Sequence, residues 1–288
     1  HVSGTVSDTT TTNSTKDDLS RALSREIAAS ILPGDTPLSD EALALTAQFL
    51  VSAGFTREAG QPAVLVESTT VGRRRLRIAV INDDMPFLVD SLASAVTALG
   101  LSIDVLVHPL VPVKRDGDGQ LTAIGAGAST RESMIYFETP RADARQRREL
   151  VKQLNTALGD VRAAVEDWRA IQTVMQDDAA ALQHADGPHA KEEAALLRWL
   201  NHGMLTQLGH VTRSREGELS EALGICRSSA RELLADGSYE RAFAWFERGD
   251  VDGNPRTLLI LKANRLSNVH RCTALDLFIV PRRDDAGG

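Results

Sequence analysis

The chain has 288 residues, of which 42% are hydrophobic and 25% are charged. These values are close to globular averages, so most of the chain is expected to fold, as about two domains. The formal net charge of −7 argues against a nucleic-acid-binding protein. The sequence also lacks the apolar run of roughly 18 residues that a membrane-spanning helix requires.

The N-terminal region divides into a polar segment and a helical one. Residues 1–16 are rich in serine and threonine, and this composition predicts disorder. The same segment lacks the apolar stretch of a signal peptide. Residues 17–58 are predicted to be a helical lead-in of two short amphipathic helices, separated by Pro33-Gly34. The second helix is predicted to begin at Ser39-Asp40 and to end at Gly54.

The cysteine content indicates the compartment. Cys226 and Cys272 lie far apart and form no CxxC motif. We therefore expect two buried thiols in a reducing cytoplasm rather than a disulfide.

A strand-rich domain is predicted over residues 59–186. The β-branched runs "AVLVES" and "RRLRIAVIND", separated by "TTVGR", predict a hairpin whose second strand has one core face and one wetter face. After Asp84 the apolar period becomes helical. Two further strands flank the turn "RDGDG", and a long helical pattern then runs from Ala142 towards Leu182.

This order predicts a split βαβ unit, in which an antiparallel sheet carries both helices on one face. The fourth strand is expected to come from the N-terminal hairpin. Gly187-Pro188 breaks the long helical pattern and marks the predicted boundary. Residues 190–284 are predicted to form a second, smaller α+β domain whose topology the pattern does not determine.

The adjacent aspartates Asp83 and Asp84 stand between a predicted strand and a predicted helix. An aspartate at the N-cap accepts hydrogen bonds from free backbone N–H groups, and Pro86 suits the first helical turn. We therefore expect Asp84 to cap the helix. A ligand contact and a hydrolase that uses Asp83 and Asp84 are alternatives, although the sequence nominates no histidine or lysine partner for acid/base chemistry.

Patterns typical of metal and nucleotide sites are incomplete. The histidines lack the spacing that places two ligands on one helical face, and Pro255 replaces the glycine of a calcium loop in "DVDGNPRTLLIL". "GAGAST" at 125–130 precedes a predicted strand rather than a helix. We therefore predict neither a metal site nor a cofactor site in this chain.

Five blocks of the sequence form a further pattern: "VINDDMPFLVDSL", "GLSIDVLVHP", "RESMIYFE", "LLRWLNHGMLTQLGH" and "LLILKANRLSNVHRCTALDLFIV". Together these blocks resemble the N-terminal region of the large bacterial NAD-specific glutamate dehydrogenases. The resemblance covers roughly residues 17–283. It implies an ACT-type domain, a ferredoxin-like fold used for amino-acid sensing and subunit contacts, which agrees with the split βαβ order.

The resemblance also carries functional implications. The parent enzymes oxidatively deaminate L-glutamate to 2-oxoglutarate and ammonium with NAD, at sites in a C-terminal catalytic domain outside this chain. The segment is therefore expected to be a non-catalytic regulatory and oligomerisation segment. Its expected partners are the enzyme's own catalytic domain, other subunits and an amino-acid effector. An amino-acid-binding sensor module is the alternative.

ACT domains often carry an Asp-x-Pro-Gly-Leu turn between the first strand and the first helix, where the backbone meets the effector. The corresponding effector or interface residues here are Asp83, Asp84, Met85, Pro86, Phe87 and Leu88. Phe87 stands in the place of the glycine, which would leave room for a ligand. We expect its ring to fill that space as part of the core.

Overall fold

A computed structural model describes residues 6–69, 74–128 and 130–282, with side chains from Thr15 onwards. The predicted "TTVGR" connection lies mostly outside the described residues. The chain divides into two compact units, His1–Leu158 and Gly159–Gly288.

The first unit begins with two helices, α1 (Val6–Ser30) and α2 (Asp40–Gly54). Ser39 caps α2 as predicted, because its hydroxyl accepts a hydrogen bond from the backbone N–H of Ala42. Residues 6–16 belong to α1, so the predicted disorder is wrong for them. Extending an existing helix is easier than nucleating one, which explains how a polar segment joins an amphipathic helix.

Six strands form one antiparallel sheet in the order β1-β2-β6-β4-β5, with β3 also paired to β6. The strands are β1 (Ala63–Ser68), β2 (Arg75–Asp83), β3 (Val105–Val107), β4 (Leu110–Arg115), β5 (Leu121–Ile124) and β6 (Thr130–Pro140).

The sheet contains the predicted split βαβ unit. Helix α3 (Leu88–Ala98) leads from β2 towards β3 and β4. Strands β2 and β4 run in the same direction because each is antiparallel to β6, which lies between them. Strand β1 pairs with the other side of β2, so the N-terminal hairpin supplies the fourth strand as predicted. The predicted turn lies between β4 and β5, where Gly119 N–H donates to the carbonyl of Asp116.

Both faces of the sheet are covered, which differs from the predicted wetter face of β2. Ala79 and Ile81 are fully buried in one cluster with Leu23 of α1 and Leu50 of α2. On the opposite face of β2, Leu76 and its alternate neighbours are also fully buried. The lead-in helices therefore share a core with the sheet, because their apolar stripes need a surface to bury them.

Helix α4 (Ala144–Gln183) begins in the first unit and ends in the second. The division lies between Leu158 and Gly159, within this helix, rather than at Gly187-Pro188. Towards its end, Ala179 and Leu182 are buried with residues of the second unit. The apolar stripe of α4 continues without a break in the sequence, so the sequence does not show where the helix changes its packing partner.

The second unit is α+β, as predicted, with two separate antiparallel strand pairs, β7–β8 and β9–β10. A π-helical turn (Leu200–Met204) follows α5, and a short 3-10 helix (Ile225–Arg227) follows β8. The remaining elements are α5 (Ala190–Trp199), β7 (Gly209–Arg213), β8 (Leu219–Gly224), α6 (Ser238–Arg248), β9 (Leu259–Leu266) and β10 (Ala274–Ile279).

The two cysteines are free thiols in different environments. Cys226 is buried, and burial raises the pKa of its thiol to about 11. Cys272 is exposed, so the prediction that both are buried is wrong for it. It lies in the connection between β9 and β10.

Candidate functional site

The predicted twin aspartates have different partners. Asp83 is the last residue of β2, and its Oδ1 accepts a hydrogen bond from Arg57 Nη2 at 2.8 Å. Asp84 follows the strand and is exposed, and its Oδ1 accepts from Ser133 Oγ at 3.3 Å. Successive side chains at a strand end point to opposite sides, so the pair is divided between two environments.

Asp83 belongs to a buried ion network. Arg57 Nη2 also donates to Glu132 Oε1 at 2.7 Å, and Arg115 binds both oxygens of Glu132 at 2.8 and 2.9 Å. Arg57 and Glu132 are only 6% and 3% exposed. Burial alone would raise the pKa of Glu132, but hydrogen bonds from Arg115 and Arg57 hold it below its ordinary value. The carboxylate is therefore ionised and paired.

The same arginines tie loops to the sheet. Arg57 Nη1 donates to the carbonyl of Gln61 at 2.7 Å, and Arg115 Nη1 donates to the carbonyl of Gly119 at 2.8 Å. The carbonyl of Gly119 also accepts from the backbone N–H of Arg57. Gly119 has a φ of +78°, and a Cβ there would lie 2.3 Å from the carbonyl oxygen of Arg57. The network therefore fixes the end of β2 against the β4–β5 turn.

Asp84 lies in an exposed polar chain with Ser133 and His108. His108 Nε2 is 3.3 Å from Ser133 Oγ, and the buried Ser133 links it to Asp84. A hydroxyl carries one proton, which Ser133 donates to Asp84, so the contact requires His108 Nε2 to carry a proton of its own. Desolvation lowers the pKa of His108, and the Asp84 carboxylate partly opposes this shift. The imidazole is therefore neutral at pH 7.

The expected capping role of Asp84 is wrong. The N-cap of α3 is Phe87, three residues later, and its side chain cannot accept a hydrogen bond. The carbonyl of Phe87 accepts from both the N–H and the hydroxyl of Ser91. The carboxylate of Asp84 instead accepts a hydrogen bond from Ser133.

Phe87 has a left-handed backbone, with φ of 70° and ψ of −1°. Glycine adopts this conformation without strain, whereas a bulky side chain there costs of order 1–3 kcal/mol. The sequence-based expectation is that the ring of Phe87 belongs to the core. Phe87 is half-buried, so only part of the residue is shielded from solvent. Met85 is also half-buried, Pro86 is exposed and Leu88 is buried.

Sequence reasoning missed five residues that surround the predicted turn. They come from a loop and from three different strands or strand ends, and no local spacing connects them. The residues are Arg57, His108, Arg115, Glu132 and Ser133. The one available signal was a break in the strand pattern at His108-Pro109, which separates β3 from β4.

The other motifs take structural positions. The glycine-rich loop at 125–128 joins β5 to β6 and so lacks the helix N-terminus on which a dinucleotide's pyrophosphate would rest. Asp250 accepts hydrogen bonds from its own loop, at the N–H groups of Asp252 and Asn254. In the part of the chain that the structure describes, no three histidine, cysteine or acidic residues form a group that could hold a metal ion. Likewise, no described helix is long and apolar enough to span a bilayer.

Comparison with known proteins agrees with the resemblance. Residues 28–154 match the family model described as "Glutamate dehydrogenase, ACT1 domain". An NAD-specific glutamate dehydrogenase from Pseudomonas aeruginosa is 31% identical over 231 residues, and one from Halomonas elongata is 26% identical over 228 residues. Each match covers 73% of this chain.

The chain spans only 14% of the length of these two relatives. The matched ACT1 domain includes the sheet, α2 and the turn at Asp84. Its antiparallel sheet with a split βαβ unit is the ACT-like fold that the sequence predicted. Residues 28–154 therefore match the glutamate dehydrogenase ACT1 domain in sequence and contain the ACT-like sheet.

Proposed function

We propose that this chain is a non-catalytic regulatory and assembly segment of an NAD-dependent glutamate dehydrogenase. The parent reaction would be oxidative deamination of L-glutamate to 2-oxoglutarate and ammonium, at glutamate and NAD sites elsewhere in a longer protein. The partners would be the enzyme's own catalytic domain and other subunits, in the cytoplasm. Both relatives are named as NAD-specific glutamate dehydrogenases, and this together with the ACT-like fold supports the parent activity.

The outer edge of β1 is the observation that carries the assembly role. Among the described strands, β1 pairs only with β2, which leaves its other edge open. Four successive apolar residues, Ala63 to Val66, are only half-buried on this edge strand. Open apolar edges are templates for pairing with another strand, so natural proteins usually protect them with charges or cover them.

Sedimentation of the 288-residue chain over a range of concentrations tests this role. Val64→Lys places a charge on the open edge and should weaken self-association by about tenfold or more. Ala123→Lys on the opposite edge strand, β5, is the matched control, because Ala123 is exposed, and should leave association unchanged. A chain that is monomeric at every concentration, or equal effects of both variants, would contradict assembly through β1.

The non-catalytic part of the proposal has its own test. The 288-residue chain should produce no NADH from glutamate and NAD, because the proposed catalytic sites lie elsewhere. Glutamate-dependent NADH formation by this chain alone would overturn this part while leaving the assembly test intact.

An amino-acid sensor is the second candidate, and the exposed Asp84 carboxylate favours it. Its position would suit the ammonium group of an effector, with Ser133 and His108 beside it. A ligand at 100 times its Kd should stabilise the fold by about 2.7 kcal/mol. Thermal unfolding with millimolar free amino acids measures this gain, and Asp84→Ala should abolish it. If no amino acid raises the unfolding temperature, or if Asp84→Ala retains the gain, sensing at this turn fails.

A further inference from the structure

A surface pocket of about 410 Å³ lies in the second unit beside the C-terminal end of α6. It combines two guanidinium groups, one carboxylate, one indole ring and a loop backbone. The lining residues are Trp245, Arg248, Gly249, Asp250, Val251 and Arg256.

The carboxylate of Asp250 is held in place by its own loop. Its Oδ1 accepts from the N–H groups of Asp252 and Asn254 at 2.9 and 2.8 Å, and its Oδ2 accepts from Asn254 Nδ2 at 3.0 Å. The hydrogen bonds from Asn254 and the loop backbone lower the pKa of Asp250, so the group is ionised at neutral pH. Oδ2 accepts one hydrogen bond and retains a lone pair for another donor.

The bend that aims this carboxylate is also preformed. Gly249 has a φ of +64°, and a Cβ at this position would lie 2.7 Å from the carbonyl oxygen of Asn254. The N–H of Asp250 donates to the same carbonyl at 3.0 Å and closes the loop. Binding at a preformed wall avoids much of the ordering that weakens association.

The two arginines complete the pocket. Arg256 Nη1 donates to the carbonyl of Trp245 at 2.9 Å, and its guanidinium carbon lies 4.3 Å from the centre of the indole ring. Arg248 Nε donates to the carbonyl of Ala244 at 3.3 Å. These contacts satisfy the C-terminal carbonyls of α6 and complement its dipole. Each guanidinium has five N–H donors, so these bonds leave donors for a ligand.

We propose that this pocket binds a small zwitterion of the α-amino acid class. Arg248 and Arg256 would receive its carboxylate, because guanidinium groups bind carboxylates through paired hydrogen bonds. Asp250 would receive its ammonium group. A simple anion meets repulsion from Asp250 and a simple cation meets repulsion from the arginines, so the charge pattern favours a ligand that carries both signs. This site is independent of the proposed assembly role and of the turn at Asp84.

NMR of the 288-residue chain can follow the indole N–H signals of its three tryptophans. The Trp245 signal is assigned as the one that Trp245→Phe removes. Free glycine, acetate and ethylammonium are the probes. Glycine should shift the Trp245 signal with saturation in the millimolar range, and acetate and ethylammonium should each bind about tenfold more weakly, since each lacks one charge-assisted contact.

Two variants place the effect in the pocket. Arg248→Gln and Asp250→Asn should each weaken glycine binding by about tenfold. Asparagine keeps a side-chain oxygen for the N–H groups of the loop, so Asp250→Asn removes the charge while retaining the turn. Arg241→Gln is the matched control, because Arg241 is exposed on the same helix and bonds Ser238 outside the pocket.

Three results would overturn the proposal. Acetate that binds as tightly as glycine would indicate a simple anion site. Glycine that leaves the Trp245 signal unmoved would exclude the zwitterion site. The assigned contacts would be contradicted if Arg248→Gln or Asp250→Asn bound glycine as tightly as the unchanged chain. Loss of glycine binding in the control, Arg241→Gln, would contradict them as well.

Discussion

The two sides of the β2–α3 turn differ in how their charges are used. On the side of Asp83, two arginines and two carboxylates are linked by hydrogen bonds of 2.7 to 2.9 Å, with Arg57 and Glu132 almost fully buried. On the side of Asp84, an exposed carboxylate, a buried hydroxyl and an exposed imidazole are linked at 3.3 Å. The buried side supports the fold, and the exposed side retains groups that a ligand or partner can reach.

The largest effect should come from removing the shared carboxylate of the buried side. Glu132→Gln removes the carboxylate charge that Arg57 and Arg115 share. Breaking a buried ion pair in this way should lower the free energy of unfolding by about 3–5 kcal/mol. Urea denaturation measures the loss. Asp84→Asn, on the exposed side, is the control and should change stability by no more than about 0.5 kcal/mol. Equal losses in the two variants would mean that the two sides do not differ.

The turn that the network holds provides the second test. Gly119→Ala introduces a Cβ against the carbonyl of Arg57 at a positive φ, and the backbone conformation alone should cost about 1–2 kcal/mol. Gly117→Ala in the same turn is the matched control, since a Cβ there meets nothing within 4 Å and its φ is not positive. Denaturation midpoints compare them. If both variants unfold at the same midpoint, the close approach at Gly119 has no energetic consequence.

A third test concerns the turn between the two sides. Phe87→Gly and Phe87→Ala remove the same ring, but only glycine relieves the left-handed backbone. The glycine variant should therefore be the more stable of the two by about 1 kcal/mol. Thermal or urea unfolding of the pair isolates the backbone contribution. An alanine variant as stable as the glycine variant would show that the turn relaxes to another conformation.

The smallest effect should be the pH dependence on the exposed side. The folded pKa of His108 is lowered, so the unfolded chain binds its proton first as the pH falls. Stability from the neutral imidazole is present above the unfolded pKa of about 6.5 and is lost as the pH falls below it. His108→Gln should flatten this part of the stability profile between neutral and mildly acidic pH. If the variant's stability changes with pH as steeply as that of the wild type, the pH dependence comes from another group.

Local pattern predicted much of the fold. The alternation in β2 and the helical stripe after it predicted a strand and a helix, and both are present. The split βαβ order followed because few topologies connect such elements without crossing. The coverage of the second sheet face could not be predicted, since a stripe such as Leu23 and Ile27 on α1 indicates that a helix packs but not against what.

The candidate site was predicted only in part. The sequence located the turn at Asp84, and the resemblance predicted that this turn corresponds to an ACT effector loop. The partners of Asp83 and Asp84 lie 26 and 49 residues away in sequence. The contact between Arg57 and Glu132 joins residues 75 positions apart. Such contacts depend on strand register, which local spacing does not reveal.

By itself, the sequence determined the α+β class, the split βαβ order and the resemblance to the N-terminal region of the NAD-specific glutamate dehydrogenases. These depend on local periodicity and on residue identity along one chain. Tertiary structure alone decided that Asp83 is paired with Arg57 while Asp84 is exposed beside Ser133. Two neighbours with the same side chain acquired different environments because one ends a strand that faces a buried network and the other begins a turn that faces solvent.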